Sequence, residues 1–257
     1  MLRFDELAFE QTPMGELTLR RRHEPTVDGE VYEVKLGDEY LMSSLFTVAE
    51  EALSDLGLAA VAPARVDLDV VVGGLGLGYT AVAALRDARV ATLTVVDALP
   101  AVVDWHKRRL LPVSASLIGD PRTRLVLADF FALMRADPSA TGPLPEPLDA
   151  ILLDVDHSPT FTLDPSHADL YTVAGLRRLA AHLRPGGVFA LWSDDPPEES
   201  FLDALRAVFD RVEGHTVVFD NPVTGGTSSN GVYVAALPPT VEISGLAGSG
   251  AQRSPSG

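Results

Sequence analysis

The stretch VVVGGLGLGYTA, residues 70–81, decides the fold of this chain. It begins with three valines, whose branched side chains favour a buried strand. Glycine then occupies four of the next six positions, and it lets the backbone turn where a side chain would block a ligand. The following residues, AVAAL at 81–85, favour a helix. Strand, glycine turn and helix in this order form half of a βαβ unit that binds a nucleotide at the start of its helix.

The next strand supports a nucleotide site. Residues 93–96, LTVV, form an apolar run that ends in Asp97, a little over twenty residues after Gly73. An acid at the tip of the second strand can bind the hydroxyl groups of a ribose. We therefore predict that the chain binds a cofactor that contains a nucleoside. The simpler alternative is a glycine-rich turn that only packs a helix against a strand.

Two later apolar runs are also followed by an acid. Asp129 comes directly after LVLA at 125–128, and Asp154 comes directly after AILL at 150–153. In an open parallel sheet, ligands bind outside the carboxyl ends of the strands. We therefore expect the glycine loop and the three strand-end aspartates to converge on one crevice.

The remaining elements predict an α/β, Rossmann-like fold with a mostly parallel seven-stranded sheet. A long helix is expected over 166–183, and RPGG at 184–187 should end it and begin the next strand. The last two strands, 216–219 and 232–236, are expected to form an antiparallel pair because a turn-rich segment joins them.

A small antiparallel β-element is predicted ahead of this fold. Residues 3–41 alternate short strand-like pieces with turn signals. A helix should follow over 45–56, with Ser43 and Ser44 as its cap and Gly57 as its stop. The β-element could cover the cofactor cleft or form a dimer surface.

These patterns divide the chain into three parts. Residues 1–57 form the β-element and linking helix, residues 58–237 form the nucleoside-binding α/β domain, and residues 238–257 form a flexible tail rich in Gly, Ser and Pro.

Composition limits the function of the 257-residue chain. Its net charge of −16 would repel a phosphate backbone, so we expect no nucleic-acid partner and favour a neutral or cationic small substrate. The alternative is that the acidity only keeps the protein soluble.

The absence of cysteine excludes disulfides and thiolate chemistry. The six histidines lack a metal-binding spacing, so no metal is expected. We predict a cytoplasmic protein, because neither a long apolar segment nor a signal peptide is evident.

Four motifs follow one another along the chain: VGGLGLG at 72–78, residues 105–112 followed by DPR at 120–122, LADF at 127–130, and LDAILLD at 148–154. In this ordered set the chain resembles the spermidine synthase family of polyamine aminopropyltransferases, which has a class I methyltransferase-like fold. The resemblance covers roughly residues 30–236. It implies a transferase of polyamine biosynthesis that acts as a homodimer and moves an aminopropyl group to an amine.

The resemblance also implies roles for individual residues. The co-substrate would be S-adenosylmethionine or its decarboxylated form, lined by Gly73, Gly74, Gly76 and Gly78. Asp97 would bind the ribose hydroxyls and Asp129 would lie near the adenine. Asp154 occupies the family's position for the acid that helps to deprotonate the attacking amine, which needs a free lone pair.

Two positions depart from the family pattern. The family has an acid inside the glycine loop where this chain has Gly76, and a second acid three residues after the catalytic one, where it has His157. Asp156 lies one residue earlier, so Asp154, Asp156 and His157 are the candidate catalytic residues. His157 could act as a neutral base near pH 7, or simply order a turn.

The missing loop acid keeps other functions open. Without it, the carboxylate of ordinary S-adenosylmethionine would be repelled less, so a methyltransferase on a small acceptor is one alternative. A non-catalytic member of the family is another. A nicotinamide-dependent dehydrogenase fits less well, because Asp129 and the turn at 185–187 match the methyltransferase-like pattern better.

Overall fold

The computed structural model describes residues 4–12, 15–138 and 142–239, which form two sheets and the helices packed on them. The N-terminal sheet is antiparallel, in the order β1 (Phe4–Thr12), β2 (Gly15–Glu24), β3 (Gly29–Leu36) and β4 (Glu39–Ser43). Its apolar face joins the main hydrophobic core through Leu17, Leu19 and Val34. The predicted antiparallel β-element is therefore present and packed against the larger domain.

The second sheet has seven strands. Its strands are β5 (Leu68–Gly73), β6 (Val90–Asp97), β7 (Thr123–Leu127), β8 (Leu148–Leu153), β9 (Leu183–Ser193), β10 (Arg211–Asn221) and β11 (Gly226–Ala236). The spatial order is β10-β11-β9-β8-β5-β6-β7. The five strands from β5 to β9 are parallel, whereas β11 is antiparallel to both of its neighbours. This arrangement confirms the predicted fold class, including the antiparallel last pair.

Helices cover both faces of the seven-stranded sheet. They are α1 (Val48–Ala59), α2 (Tyr79–Leu85), α3 (Pro100–Lys107), α4 (Ser114–Gly119), α5 (Phe130–Arg135), α6 (Val173–Ala181), α7 (Glu199–Arg206) and a 3-10 turn at Pro165–Asp169. Two hydrophobic clusters result, because alternate residues of each buried strand face opposite sides. In the described part of the chain, none of these helices is long and apolar enough to cross a membrane.

The long helix predicted over 166–183 is wrong. The 3-10 turn comes first, and α6 begins only after Thr172, whose hydroxyl oxygen accepts a 3.1 Å hydrogen bond from the Gly175 N–H. Leu183 already belongs to β9, so the RPGG turn lies inside the strand. The sequence has a continuous helical spacing of apolar residues here, but the cap at Thr172 starts a new helix and separates it from the 3-10 turn.

The linking helix also begins and ends later than predicted. Ser44 pairs with Tyr32 of β3 through two hydrogen bonds, so α1 starts at Val48. Gly57 does not stop the helix: a Cβ there would lie 2.7 Å from Leu152 Cδ2, and glycine allows the helix to pack closely on β8. The boundary at residue 57 stays a prediction. The predicted tail lies outside the described residues from 240 onward.

Candidate active site

A cavity of about 730 Å³ lies at the carboxyl edge of the parallel strands. Its walls come from the glycine loop, the strand tips, β4 and the β10–β11 hairpin. Six carboxylate side chains line it: Glu50, Asp97, Asp129, Asp154, Asp164 and Asp194. Among the described residues that line it, none is lysine or arginine. The predicted convergence of three strand-end aspartates on one crevice is therefore observed, within a wall that carries further acids.

The glycine loop needs glycine for two reasons. Gly74, Gly76 and Gly78 have φ angles of +94°, +45° and +92°, a region that other residues rarely adopt. A Cβ on Gly74 would also lie 2.0 Å from the carbonyl oxygen of Asp154. Gly73 differs because it is buried at the end of β5, against Phe130. It does not line the cavity, and Gly74 is the first residue of the glycine loop that does.

His106 fixes the glycine loop from beneath. Its Nε2 is 3.0 Å from the carbonyl oxygen of Gly76, and its Nδ1 is 3.1 Å from Ser114 Oγ. Because a carbonyl only accepts, Nε2 carries the proton, and the Ser114 hydroxyl donates to Nδ1. Burial lowers the pKa of His106, so the imidazole stays neutral and the loop keeps this bond at neutral pH.

Asp97 holds the loop from the side of β6. Its Oδ2 accepts a 2.9 Å hydrogen bond from the Leu75 N–H and its Oδ1 accepts a 2.7 Å bond from the Leu99 N–H. Burial raises the pKa of Asp97, while these backbone donors oppose the rise. A carboxylate oxygen can accept two hydrogen bonds, so Asp97 can still bind ligand hydroxyls.

Asp129 combines a capping position with a place in the cavity wall. Its Oδ1 accepts a 3.1 Å hydrogen bond from the Ala132 N–H at the start of α5. Its Oδ2 lies 3.8 Å from Arg135 Nη2, and half of the side chain is exposed. The carboxylate is therefore oriented by the helix start and remains accessible to a ligand.

Asp154 is held at the centre of the site. The Thr80 hydroxyl donates a 2.6 Å hydrogen bond to its Oδ2, and its own N–H donates to the Gly73 carbonyl at 2.8 Å. Burial raises the pKa of Asp154 to about 6, although the Thr80 bond opposes the rise. The carboxylate is therefore mostly ionised at pH 7 and can accept a proton.

Glu50 is a site residue that the sequence analysis missed. It lies in the first turn of α1, where acids usually favour the helix dipole. Burial, followed by the charge of Asp154, raises the pKa of Glu50 to about 8. At neutral pH the two carboxyl groups therefore hold one proton between them, mainly on Glu50. The sequence carries one signal for this burial, which is helical spacing. Glu50 lies on the same face of α1 as Leu53 and Gly57, and both of those residues are buried.

Replacing Glu50 with Gln should stabilise the protein at high pH. An enclosed carboxyl group with a raised pKa contributes its full stability below its unfolded pKa near 4.5, and that stability is lost as the pH rises through about 8. We expect Glu50→Gln to exceed wild type by about 1–3 kcal/mol at pH 9 and by much less at pH 5. Thermal unfolding across this range measures the difference.

Glu51→Gln is the matched control, because Glu51 pairs with Arg86 at the surface. It should show no comparable gain at pH 9. Equal melting temperatures of Glu50→Gln and wild type at both pH values would contradict the enclosed, protonated Glu50.

The structure places Asp156 beneath the loop that follows β8, and not in the cavity wall. Its side chain is 1% exposed. Its Oδ1 accepts hydrogen bonds from the Leu163 N–H at 2.7 Å and from His167 Nδ1 at 2.8 Å, and its Oδ2 accepts one from the Tyr171 hydroxyl at 2.6 Å. Asp156, predicted from the sequence as a candidate catalytic residue, therefore supports the loop that follows β8 and does not reach the cavity.

His157 does line the cavity, in the loop that follows β8. Its ring stacks on Phe161 with centroids 5.0 Å apart. Its carbonyl oxygen accepts a 2.6 Å hydrogen bond from the Asp194 N–H, which ties the loop to the end of β9. The position allows contact with a substrate, but it also serves to close the loop.

Aromatic side chains form the wall near β9 and the hairpin. Phe46 and Phe219 have ring centroids 5.5 Å apart, and Trp192 lines the same cavity. The Asp194 carboxylate accepts a 2.9 Å hydrogen bond from Asn230 Nδ2. Asp194 therefore belongs to the cavity wall, next to these aromatic residues.

No family model matches the chain. It is 31% identical over 154 residues to polyamine aminopropyltransferase 2 of Pseudomonas aeruginosa, a match that covers 57% of this chain and 41% of the relative. The chain thus spans about two fifths of the length of this curated relative.

Solved structures resemble the fold as a whole. The spermidine synthase from Thermotoga maritima superposes with a TM-score of 0.65 at 15% identity, covering 90% of this chain and 72% of that one. A spermidine synthase in complex with the transition-state analogue AdoDATO gives 0.67 at 17% identity, covering 90% and 73%. Together with the sequence match, these likenesses confirm the predicted resemblance.

Among the described residues, no group of three or more His, Cys, Asp or Glu is placed to hold a metal ion.

Proposed function

We propose that this spermidine synthase-like chain is a transferase that moves an aminopropyl group from decarboxylated S-adenosylmethionine to an amine. The observation that carries the proposal is the negative charge of the cavity, which is lined by six carboxyl groups, with Glu50 protonated at neutral pH, and by no lysine or arginine among its described residues. Decarboxylated S-adenosylmethionine and an amine acceptor are both cations, so both substrates complement this wall.

The same charge disfavours ordinary S-adenosylmethionine, which adds a carboxylate to the aminopropyl chain. Two like charges 5 Å apart repel by about 3 kcal/mol at an effective dielectric constant near 20. The cavity offers no lysine or arginine side chain, among those described, to offset this cost. The acids of the wall can therefore take over the discrimination that the family assigns to an acid in the glycine loop.

The residues present fit a nucleoside. We propose that the ribose hydroxyls bind Asp97, that the base lies near Asp129, and that the loop from Gly74 to Gly78 follows the sugar. The free acceptor capacity of the two carboxylates supports these roles. Gly73 would act indirectly, by letting β5 pack closely on Phe130.

Asp154 is our proposed proton acceptor. The donor supplies a carbon that is activated by a positively charged sulfur. A bond from the acceptor nitrogen to that carbon forms as the carbon–sulfur bond breaks, and the electron pair goes to sulfur. Asp154 takes a proton from the acceptor nitrogen, and Thr80 keeps the carboxylate in one orientation.

The other candidates have supporting roles in this proposal. Asp156 positions the loop between β8 and the 3-10 turn through its three hydrogen bonds. His157 borders the acceptor side of the cavity, and Glu50 keeps a proton close to Asp154 until a cationic substrate displaces it.

A methyltransferase remains the second candidate because of Gly76. At the position of the family's loop acid this chain has a glycine, which has no side chain. A Cβ on Gly76 would lie 3.1 Å from Met42 Sδ. The loop itself therefore does not exclude the carboxylate of ordinary S-adenosylmethionine. A non-catalytic member is the third candidate.

Isothermal titration calorimetry separates the three candidates. We expect decarboxylated S-adenosylmethionine to bind at least tenfold more tightly than S-adenosylmethionine, because of the acidic wall, and methylthioadenosine to bind as the product. Preference for S-adenosylmethionine would favour methyl transfer. Failure to bind any of the three would favour the non-catalytic alternative.

The acceptor and the assembly are also proposals. The aromatic wall of Phe46, Trp192 and Phe219, with Asp194 beside it, suits an amine with an apolar chain. A homodimer through the N-terminal sheet is supported by Phe4 and Phe9, which are 56% and 48% exposed. We also propose a role in polyamine biosynthesis and a cytoplasmic location, both of which are supported by the resemblance to spermidine synthases.

A further inference from the structure

His167 belongs to the cavity wall at the end formed by β7 and α5. Its ring stacks on Phe131, with centroids 3.7 Å apart and planes 8° from parallel. Its Nδ1 edge faces Asp156, which lies outside the cavity lining. The opposite edge of the ring carries Nε2, and it is therefore the edge that is available to a ligand in the cavity.

The contact with Asp156 determines which nitrogen of the His167 imidazole carries the proton. Asp156 receives hydrogen bonds from Leu163, His167 and Tyr171, so it acts as an acceptor for all three. Burial and the charge of Asp156 raise the pKa of Tyr171 well above its usual value, so the phenol remains a donor. Nδ1 of His167 therefore carries the proton, and in the neutral ring Nε2 is an acceptor. No described residue donates to Nε2.

We propose that His167 Nε2 accepts a hydrogen bond from the exocyclic amine of the bound nucleobase and thereby selects a 6-aminopurine over a 6-oxopurine. This inference rests on the proposed function, which puts a nucleoside in the cavity. Asp97 is the last residue of β6, and Asp129 lies just beyond β7, the edge strand of the sheet. A nucleoside whose ribose binds Asp97 extends toward Asp129, and His167 lies in the same part of the wall.

Two acceptors match one amino group. The amine of adenine carries two hydrogens, and Asp129 and His167 each offer an acceptor atom at this end of the cavity. A 6-oxo base would present an acceptor to these acceptors and leave them without a bond, which costs binding energy. The preference for adenine is therefore shared between Asp129 and His167.

The test compares dissociation constants for methylthioadenosine and methylthioinosine by calorimetry. His167→Phe keeps a flat ring over Phe131 and removes the acceptor. We expect the preference of wild type for methylthioadenosine to fall about three- to tenfold in this variant, the worth of one hydrogen bond. Tyr171→Phe is the control, because it weakens the support of Asp156 but keeps the imidazole, and it should retain the wild-type preference.

Nuclear magnetic resonance of wild-type protein with ¹⁵N-labelled histidine gives a second readout that needs no variant. The Nε2 resonance of His167 should be that of an unprotonated nitrogen and should shift on addition of methylthioadenosine, with a smaller response to methylthioinosine. A protonated Nε2, or an unchanged preference in His167→Phe, would overturn the inference alone. If wild type bound neither nucleoside, the proposed function would fail with it.

Discussion

Replacing Asp154 with Asn is expected to lower kcat by about 10²- to 10⁴-fold, the usual contribution of a positioned proton acceptor. Asparagine has the same shape and can still accept the hydrogen bond from Thr80, so the site should keep its geometry. Affinity for methylthioadenosine should therefore stay within a few fold of wild type. Release of methylthioadenosine measures turnover, and calorimetry measures binding.

Asp164→Asn is the matched control for this variant. Asp164 lines the same cavity, and its Oδ1 accepts a 2.8 Å hydrogen bond from the Ser166 N–H, which asparagine can preserve. The substitution removes the same charge without removing the proposed proton acceptor, so kcat should change only a few fold. Equal losses in both variants would mean that net charge, and not proton transfer, sets the rate.

Among substitutions that add one methyl group to the cavity wall, Gly74→Ala should reduce stability and binding the most. Its Cβ would lie 2.0 Å from the Asp154 carbonyl oxygen, at a residue whose φ is +94°. Backbone strain and overpacking together should cost about 3–5 kcal/mol, and the forced movement should also displace Asp154. We expect a melting temperature lower by about 10 °C and no measurable methylthioadenosine binding.

Gly119→Ala provides the comparison, because it adds the same methyl group at the end of α4 where nothing lies within 4 Å. It should be neutral or stabilising by about 0.4–1 kcal/mol. A Gly74→Ala protein as stable as Gly119→Ala, with intact binding, would disprove the close packing of the glycine loop on β8.

The elements that the sequence predicted best are those in which local pattern and tertiary role agree. The buried strands are apolar runs, and Asp97, Asp129 and Asp154 follow three of them because parallel strands deliver their carboxyl ends to one edge. The same regularity made the α/β fold predictable. The roles of these residues remain proposals.

Residues set by tertiary contacts were harder to predict. Glu50 resembles an ordinary acid of a first helical turn, and only the packing of α1 on the sheet turns it toward Asp154. Asp156 lies two residues after Asp154, but its carboxylate is drawn inward by His167 and Tyr171, whose positions depend on the 3-10 turn and the residues that follow it. The helical spacing of Glu50 with Leu53 and Gly57 indicates a buried face but not the contact with Asp154, and no local pattern in the sequence specifies the contacts of Asp156.

The most direct test of the central claim is the identity of the products. Purified protein would be incubated with a panel of linear diamines and either decarboxylated or ordinary S-adenosylmethionine, and analysed by mass spectrometry. The proposed aminopropyl transfer should give methylthioadenosine and an amine that has gained one aminopropyl group, in equal amounts and only with the decarboxylated donor. A methylated amine formed from ordinary S-adenosylmethionine, or no product from either donor, would contradict it.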